Sequence, residues 1–361
     1  MGIIMREPTW KFTLRTIVLS IILGGASGVL ATALTTNYLT GYAVQLGELT
    51  TPLRLAGERP RAFPQNVEEA FEEVSKKITP GLVQFFPSSS GAFLNAQQAV
   101  LSGAVLTSDG WILTYPEAGQ SVAGMQAVIG VNVFRVEEVV PDPQTGAMFV
   151  KVNAGNLQVV PFGNGWDISA GEQLIVVPSV GHLLQTSAIG SDWGEEIEWS
   201  SDVPRRRIQV DAVQVDQGSP VSNLVGELVG IAHEENGRTF VLPMESVLGA
   251  FTSLLRGGRI ERPSLGVETV DLTRNTTTEE QTRGRRSGAF LLDAGSVERG
   301  SPAAEAGLQG GDIILAVDGR IINGTRTLDE YISGYVPGDS ITLTVDRDGE
   351  EISLQATLDV L

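Results

Sequence analysis

The sequence predicts a mainly β protein with one N-terminal membrane helix and a second unit of mixed α and β structure at the C-terminal end. Glycine contributes 42 of the 361 residues, and 42% of the residues are hydrophobic, which is typical of a loop-rich globular β protein. Short apolar runs separated by Gly, Pro, Asn and Asp recur about every ten residues between residues 81 and 243, as in barrels and sandwiches. An uncharged run of 21 residues precedes them.

The uncharged run covers residues 16–36 and predicts a transmembrane helix, because a helix of that length crosses a hydrocarbon core of ~30 Å. Residues 1–15 carry three basic side chains and one acidic side chain, so the positive-inside rule places them in the cytoplasm and the rest of the chain outside it. A cleaved signal peptide is the alternative, since "ATA" at 31–33 suits a signal peptidase. A retained signal anchor is favoured because the apolar run is longer than the usual signal-peptide core.

Charge and composition restrict the class of partner. The chain has 25 basic and 43 acidic residues and a net charge of -18, which makes nucleic acid a poor partner because phosphate binding needs clustered cations. No cysteine is present, so disulfides and thiolate metal sites are excluded. The two histidines, His182 and His233, are far apart in sequence. The sequence therefore predicts no metal and no cofactor.

Residues 37–64 are predicted to be a linker, and residues 65–258 to form the β domain. The β domain begins with a helix over 66–78, whose apolar residues recur at helical spacing. Asn66 is its predicted N-cap, with Glu69 completing a capping box. This helix is expected to pack on its own barrel rather than against another subunit. The segment "MESVLGAFTSLLRGG" is predicted to close the domain as a helix.

Residues 259–361 form the predicted C-terminal unit. Apolar runs such as "DIILAVDG" and "SITLTVDR" predict strands, and "SPAAEAG" and "TRTLDEYISGY" predict helices. The polar segment 273–287 is predicted to be a flexible loop.

The C-terminal unit closely resembles a PDZ domain. The matching segments are "SLGV" (264–267), "GSPAAEAGLQGGDIILAVDGRIING" (300–324) and "YVPGDSITLTVDRDGE" (335–350). The resemblance implies a loop whose backbone N–H groups receive a C-terminal carboxylate, followed by a strand to which the peptide adds.

The same resemblance implies the peptide-binding residues. The carboxylate-binding loop would be Ser264, Leu265, Gly266 and Val267, and the helix facing the peptide would contribute Leu328, Tyr331 and Ile332. Ordinary core packing is the alternative interpretation of Leu328 and Ile332.

The β domain resembles the trypsin-like domain of the HtrA (Deg) family, and the order of anchor, linker, β domain and PDZ domain matches that family. The matching segments are "SGAVLTSDGWILT", "DPQTGAMFVKV" and "IQVDAVQVDQGSPVSNLVGELVGIAH". The implied fold is a chymotrypsin/trypsin-like double β-barrel followed by an α+β PDZ domain.

The three catalytic positions of that family carry unsuitable residues here. Acyl transfer in this fold needs a serine, a histidine that accepts its proton and an aspartate that orients the histidine. The histidine position falls on Glu117 and the aspartate position on Gly146. The segment "DQGSPVSN" is about two residues shorter than the family's serine segment, and Ser219 falls on the serine position only if that gap is shifted. Pro220 then follows it directly and has no N–H to contribute to an oxyanion turn. His182 and His233 are expected to be structural or surface residues.

Three functional hypotheses follow from the resemblance. The first is a membrane-anchored, extracytoplasmic pseudoprotease that binds polypeptide C-termini or unfolded proteins through its PDZ domain, in protein quality control. The second is an active serine endopeptidase. The third is a PDZ scaffold of an export or signalling complex whose β domain is unrelated to proteases. The resemblance also implies a homo-trimer or a hetero-oligomer with active relatives.

Overall fold

The computed structural model describes residues 63–89, 93–180, 182–211 and 215–361. Within these residues no helix is long and apolar enough to cross a membrane. The predicted membrane span at 16–36, the segment before it and most of the predicted linker lie outside the described residues.

The first part of the β domain is a closed six-stranded antiparallel barrel, here called barrel 1. Its strand order is β1-β2-β3-β6-β5-β4. Apolar residues from all six strands alternate with outward-facing residues and fill its interior. The strands are β1 (Leu82–Phe86), β2 (Leu101–Val105), β3 (Trp111–Thr114), β4 (Gln126–Ile129), β5 (Asn132–Pro141) and β6 (Met148–Val152).

A second closed barrel of six antiparallel strands, barrel 2, follows in the chain. The strand order is β10-β13-β12-β11-β7-β8, and β9 (Glu198–Ser200) is not part of it. The strands are β7 (Gln173–Val176), β8 (Leu184–Asp192), β10 (Arg207–Val210), β11 (Ser219–Ser222), β12 (Leu228–Glu235) and β13 (Arg238–Pro243). Two closed six-stranded barrels confirm the predicted architecture and contradict the hypothesis that the β domain is unrelated to proteases.

The largest hydrophobic cluster lies between the barrels and joins both to two helices, α1 (Val67–Lys77) and α2 (Glu245–Gly257). Phe149 of barrel 1 stacks on Phe251 of α2 with ring centroids 5.2 Å apart. Val74 of α1 is fully buried in the same cluster. The apolar face of α1 therefore packs on its own domain.

The N-terminus of α1 differs from the predicted capping box in one contact. The Asn66 side chain accepts a hydrogen bond from the Glu69 N–H at 2.9 Å, as predicted. The Glu69 carboxylate, however, accepts from the N–H of Gln65 at 2.6 Å rather than from that of Asn66. The Glu69 carboxylate thus binds the N–H one residue before the predicted one.

The C-terminal unit contains two sheets and three short α-helices. β14 (Pro263–Ser264) pairs with β21 (Asp359–Val360). The larger sheet has the order β20-β19-β17-β16-β15-β9, with β18 paired to β17. Its strands are β9 (Glu198–Ser200), β15 (Glu268–Asp271), β16 (Ala289–Phe290), β17 (Ile313–Val317), β18 (Arg320–Ile321), β19 (Ser340–Arg347) and β20 (Glu350–Thr357). β9 enters this sheet from the connection between two strands of barrel 2.

The three helices are α3 (Glu279–Thr282), α4 (Pro302–Ala306) and α5 (Leu328–Ile332). The prediction of a flexible loop over 273–287 is wrong in part, because α3 lies within it. Arg283 and Arg285, which follow α3, both pair with the buried carboxylate of Asp346 at 2.8 Å. These ion pairs fix the second half of the segment on β19.

Replacing Phe149 by alanine should lower the free energy of unfolding by about 3–5 kcal/mol, since it removes a fully buried ring from the cluster between the barrels. Urea denaturation followed by tryptophan fluorescence measures this. Phe93→Ala, at a side chain that is 95% exposed, is the control and should change little. Equal losses in the two variants would contradict the assignment of Phe149 to the core.

Candidate functional site

A cleft of about 590 Å³ lies between the two barrels. Residues from the end of β3, from the turn before β11 and from the end of β12 line it. Its acidic lining residues are Glu117, Asp216, Glu234 and Glu235.

Glu117 lies on the rim of this cleft with an exposed side chain. Its backbone N–H donates a hydrogen bond to the side-chain oxygen of Gln120 at 3.0 Å, which closes the turn after β3. The resemblance assigns a histidine to this position. The acyl-transfer chemistry of this fold needs an imidazole there to accept the proton of the serine hydroxyl.

Gly146 has no room for a side chain. A Cβ atom at this position would lie 2.8 Å from the hydroxyl oxygen of Tyr115, and the backbone φ of +77° already disfavours other residues. The Tyr115 phenol therefore occupies the space into which an aspartate at 146 would project. Gly146 and Tyr115 therefore form one structural feature rather than two.

Ser219 lies at the start of β11 and is completely buried. Its hydroxyl donates to the backbone carbonyl of Asp216 at 2.8 Å, and its N–H donates to the same oxygen at 3.1 Å. Gln217, not Ser219, lines the cleft. The Gln217 side chain is held by hydrogen bonds of 3.2 Å to both the N–H and the carbonyl of Glu234.

His233 lies beneath the cleft and is 2% exposed. Its ring stacks on Tyr115 at 4.1 Å between centroids and lies 5.9 Å from Phe240. Neither ring nitrogen has a hydrogen-bond partner among the described residues. Burial, with a smaller contribution from the Arg207 charge, lowers the pKa of His233 to about 4. His233 is thus a neutral core residue, and His182 is an exposed one.

A metal site is also not formed by the part of the chain that the structure describes, where no three His, Cys, Asp or Glu side chains are grouped to hold an ion.

The loop that includes Ser264, Leu265 and Gly266 binds a carboxylate from the same chain. The Leu265 N–H donates to one Asp202 carboxylate oxygen at 2.8 Å, and the Gly266 N–H donates to the other at 3.1 Å. The Ser264 hydroxyl donates to the second oxygen at 2.6 Å. Gly266 has φ +77°, and a Cβ there would lie 2.4 Å from Ser301 Cβ, so only glycine fits this loop.

Asp202 ends a segment of the connection between β8 and β10 that lies alongside the loop. We call residues 198–202 the docked segment. β9, its first part, pairs antiparallel with β15, so that Ser200 lies opposite Glu268 and Glu198 opposite Val270. The pairing continues beyond β9, where the Ser201 N–H donates to the Val267 carbonyl at 2.8 Å.

A buried ion pair holds the chain just after the docked segment against α5. Arg206 and Glu330 are 5% and 0% exposed, and their closest atoms are 2.5 Å apart. Arg206 also donates to the backbone carbonyls of Trp166 and Thr325, each at 2.6 Å. Burial raises the pKa of Glu330 to about 7 and that of its neighbour Asp329 to about 6, although the Arg206 charge acts in the opposite direction on both.

The residues predicted to face a peptide from α5 are core residues. Leu328, Tyr331 and Ile332 all belong to the hydrophobic cluster of the C-terminal unit. The Tyr331 hydroxyl donates to the Ile321 carbonyl at 3.2 Å. Leu328 and Ile332 are therefore packing residues, as the alternative interpretation had it. The acidic residues of α5, Asp329 and Glu330, instead contact the chain just after the docked segment.

Comparisons with known proteins agree with this architecture. A family model described as a PDZ domain matches residues 263–358. A putative serine protease HhoB from Synechocystis sp. is 30% identical over 269 residues, which is 70% of this chain and 64% of that protein. The chain is therefore similar to serine proteases of the HtrA type and carries a PDZ domain. A probable periplasmic serine endoprotease DegP-like from Ectopseudomonas mendocina is 27% identical over 305 residues, 81% of this chain and 62% of that protein. The HtrA-like chain thus spans somewhat less than two thirds of these relatives.

Solved structures show the same fold. The HtrA-type protease AlgW with a tripeptide aligns with a TM-score of 0.58 at 21% identity, over 82% of this chain and 97% of that one. AlgW with a decapeptide aligns with a TM-score of 0.55 at 20% identity, over 82% and 99%. Because both identities are under 25%, these structures establish only the fold of this chain.

Sequence reasoning missed the docked segment and the tyrosine in the cleft. "EWSSD" shows only a short apolar and polar mixture, and its pairing partner lies about seventy residues further along the chain. Tyr115 precedes Pro116 in a turn, where sequence gives no signal of where the ring points. A possible signal was that the sequence has a glycine at 146 and a tyrosine at 115, two residues before Glu117, the position to which the resemblance assigns a histidine.

The low pKa of His233 predicts a dependence of stability on pH. Between about pH 6.5 and 4 the unfolded chain binds a proton at His233 and the folded chain does not, so stability falls as the pH falls through this window. The contribution lost is roughly 3 kcal/mol, since one pKa unit corresponds to about 1.4 kcal/mol. Urea denaturation at several pH values measures it.

His233→Phe retains an aromatic ring and should remove this part of the pH dependence. His182→Ala, at the exposed histidine, serves as the control and should keep the full dependence. The difference in pH dependence between wild type and His233→Phe gives the contribution of His233 alone. Buried carboxylates such as Asp329, with a pKa of about 6, contribute equally to both proteins. Parallel pH profiles for wild type and His233→Phe would contradict the burial of a neutral imidazole.

Proposed function

We propose that this HtrA-like chain is a pseudoprotease that binds polypeptide C-termini or unfolded proteins through its PDZ domain and does not cleave them. One observation carries the proposal: Tyr115 occupies the space next to Gly146 in which the catalytic carboxylate would lie. Among the described residues that line the cleft the one histidine is His233, which is buried and stacked on that tyrosine and so is not available to deprotonate a nucleophile.

The chemistry of acyl transfer supports the proposal. A serine nucleophile needs a base within hydrogen-bond reach and a turn that directs N–H groups at the oxyanion. The Ser219 hydroxyl is buried and already donates to the Asp216 carbonyl. Pro220, the next residue, has no N–H to contribute.

The carboxylate contacts of the 264–266 loop support peptide binding. Two N–H groups and a hydroxyl converge on the Asp202 carboxylate, which is the donor set that a C-terminal carboxylate requires. The solved AlgW structures with peptides are related in fold. We therefore assign polypeptide C-termini as the ligand class of this loop.

The anchor and the location belong to the same proposal. The uncharged run at 16–36 would hold the protein in a bacterial-type membrane as a single-pass signal anchor, with residues 63–361 in the extracytoplasmic space. Relatives described as probable periplasmic endoproteases support that side of the membrane. A homo-trimer, or a hetero-oligomer with active relatives, is the expected assembly.

An active serine endopeptidase is the second candidate. The relatives favour it, because each of the most similar ones is described as a serine protease or endoprotease. The two candidates differ in whether any serine of the chain reacts as a nucleophile.

The purified full chain should neither cleave unfolded casein nor react with a fluorophosphonate probe, beside an active HtrA protease as positive control. Ser219→Ala, which removes only the buried hydroxyl, should behave identically to wild type. Labelling of wild type that is absent from Ser219→Ala would establish the endopeptidase and contradict the pseudoprotease. Labelling that persists in Ser219→Ala would contradict it too and would place the nucleophile elsewhere.

A further inference from the structure

We propose that the docked segment is an intramolecular ligand of the PDZ groove, and that a polypeptide C-terminus binds there only by displacing it. The proposal rests on the peptide-binding role proposed above. It adds that the groove is filled in the resting protein and that binding is therefore a competition within one chain.

The backbone of the docked segment uses the edge to which a peptide would add. Its antiparallel pairing with β15 occupies the backbone groups on that side of β15. The contact between the Ser201 N–H and the Val267 carbonyl extends the pairing up to the carboxylate loop. While β9 is in place, β15 itself has no unpaired row of N–H and C=O groups on this side for a peptide to join.

The Asp202 side chain supplies the carboxylate that a peptide would supply from its C-terminus. Both of its oxygens accept hydrogen bonds from the loop, and the Ser201 hydroxyl donates a further one at 2.7 Å. Two carboxylates do not share one buried donor set, because like charges at that separation strongly disfavour joint ionisation. A bound C-terminal carboxylate therefore excludes Asp202.

Contacts on either side of the carboxylate hold the segment in place. Trp199 is 4% exposed where β9 pairs with β15. The Arg206 guanidinium is anchored to Glu330 on α5, and the Arg205 N–H donates to the Asp329 carboxylate at 3.3 Å. The docked segment thus pairs with β15 on one side of the groove, and the residues just after it are held by α5 on the other side.

Tethering makes the competition quantitative. A ligand on a short tether acts at an effective concentration in the millimolar range, so a weak internal interaction still fills the groove. The apparent dissociation constant of an added peptide equals its intrinsic value divided by the fraction of molecules with an open groove. Weakening the docked segment should therefore tighten the binding of an added peptide.

The test uses the full chain and a fluorescein-labelled peptide of residues 196–202, "EIEWSSD", with an amidated C-terminus so that only side-chain carboxylates are free. Fluorescence polarisation measures its affinity. Asp202→Ala in the protein should bind this peptide at least about tenfold more tightly than wild type. Glu195→Ala, which removes an exposed carboxylate from the same connection, is the matched control and should bind as wild type does. The same peptide with Asp202→Asn should bind every protein more weakly.

A second measurement does not depend on the folding of the Asp202→Ala variant. Unlabelled peptide carrying Trp199→Phe is added to wild type, and tryptophan emission is recorded. Displacement should expose Trp199 and shift the emission to longer wavelength in a saturable manner, and the protein variant Trp199→Phe should lose this shift.

The outcomes separate the two proposals. Equal, measurable affinity of wild type and Asp202→Ala, with no change in Trp199 emission, would overturn the internal ligand and leave peptide binding intact. Failure of every variant to bind the peptide at millimolar concentration would overturn the internal ligand, and because the peptide is amidated it would leave the binding of polypeptide C-termini standing. Tighter binding by Asp202→Ala together with the Trp199 shift establishes displacement.

Discussion

Burial of the Asp202 carboxylate is the constraint on which the arrangement of barrel 2 and the PDZ domain depends. An ionised carboxylate removed from water needs nearly all of its hydrogen-bonding capacity satisfied. The loop at 264–266 provides that capacity, and the antiparallel pairing of β9 with β15 delivers the side chain to it. Removing one member of such a set costs about 3–5 kcal/mol, because the remaining groups stay buried without partners.

Two other buried ion pairs join the two barrels to the C-terminal unit. Arg206 with Glu330 joins barrel 2 to α5, and Arg262 with Asp142 joins the beginning of the PDZ domain to barrel 1. Arg262 also donates to the Ser246 carbonyl at 3.0 Å. The turn that follows Asp142 ends at Gly146, whose N–H donates to the Asp142 carbonyl at 2.9 Å. Arg262 therefore contacts the turn of barrel 1 that contains Gly146.

Local patterns were predictable and long-range pairings were not. The helix at 66–78 follows from its apolar spacing and the Asn66 side chain, and both are local. The strands of the barrels and the PDZ resemblance also lie in contiguous segments. The docked segment has no such signal, since only the tertiary fold brings "EWSSD" to the edge of a sheet made by later residues. Likewise, the glycine at 146 acquires a physical reason only when Tyr115 is seen to occupy the space beside it.

The most direct test of the account is hydrogen exchange of the full chain, followed by mass spectrometry on fragments covering 196–202 and 266–271. Without peptide both fragments should be protected. With saturating peptide of residues 196–202, isotopically distinguished from the chain, the fragment at 196–202 should exchange rapidly while that at 266–271 stays protected, because a new strand replaces the old one. Rapid exchange at 196–202 before peptide is added, or unchanged protection after it binds, would contradict a groove filled by its own chain.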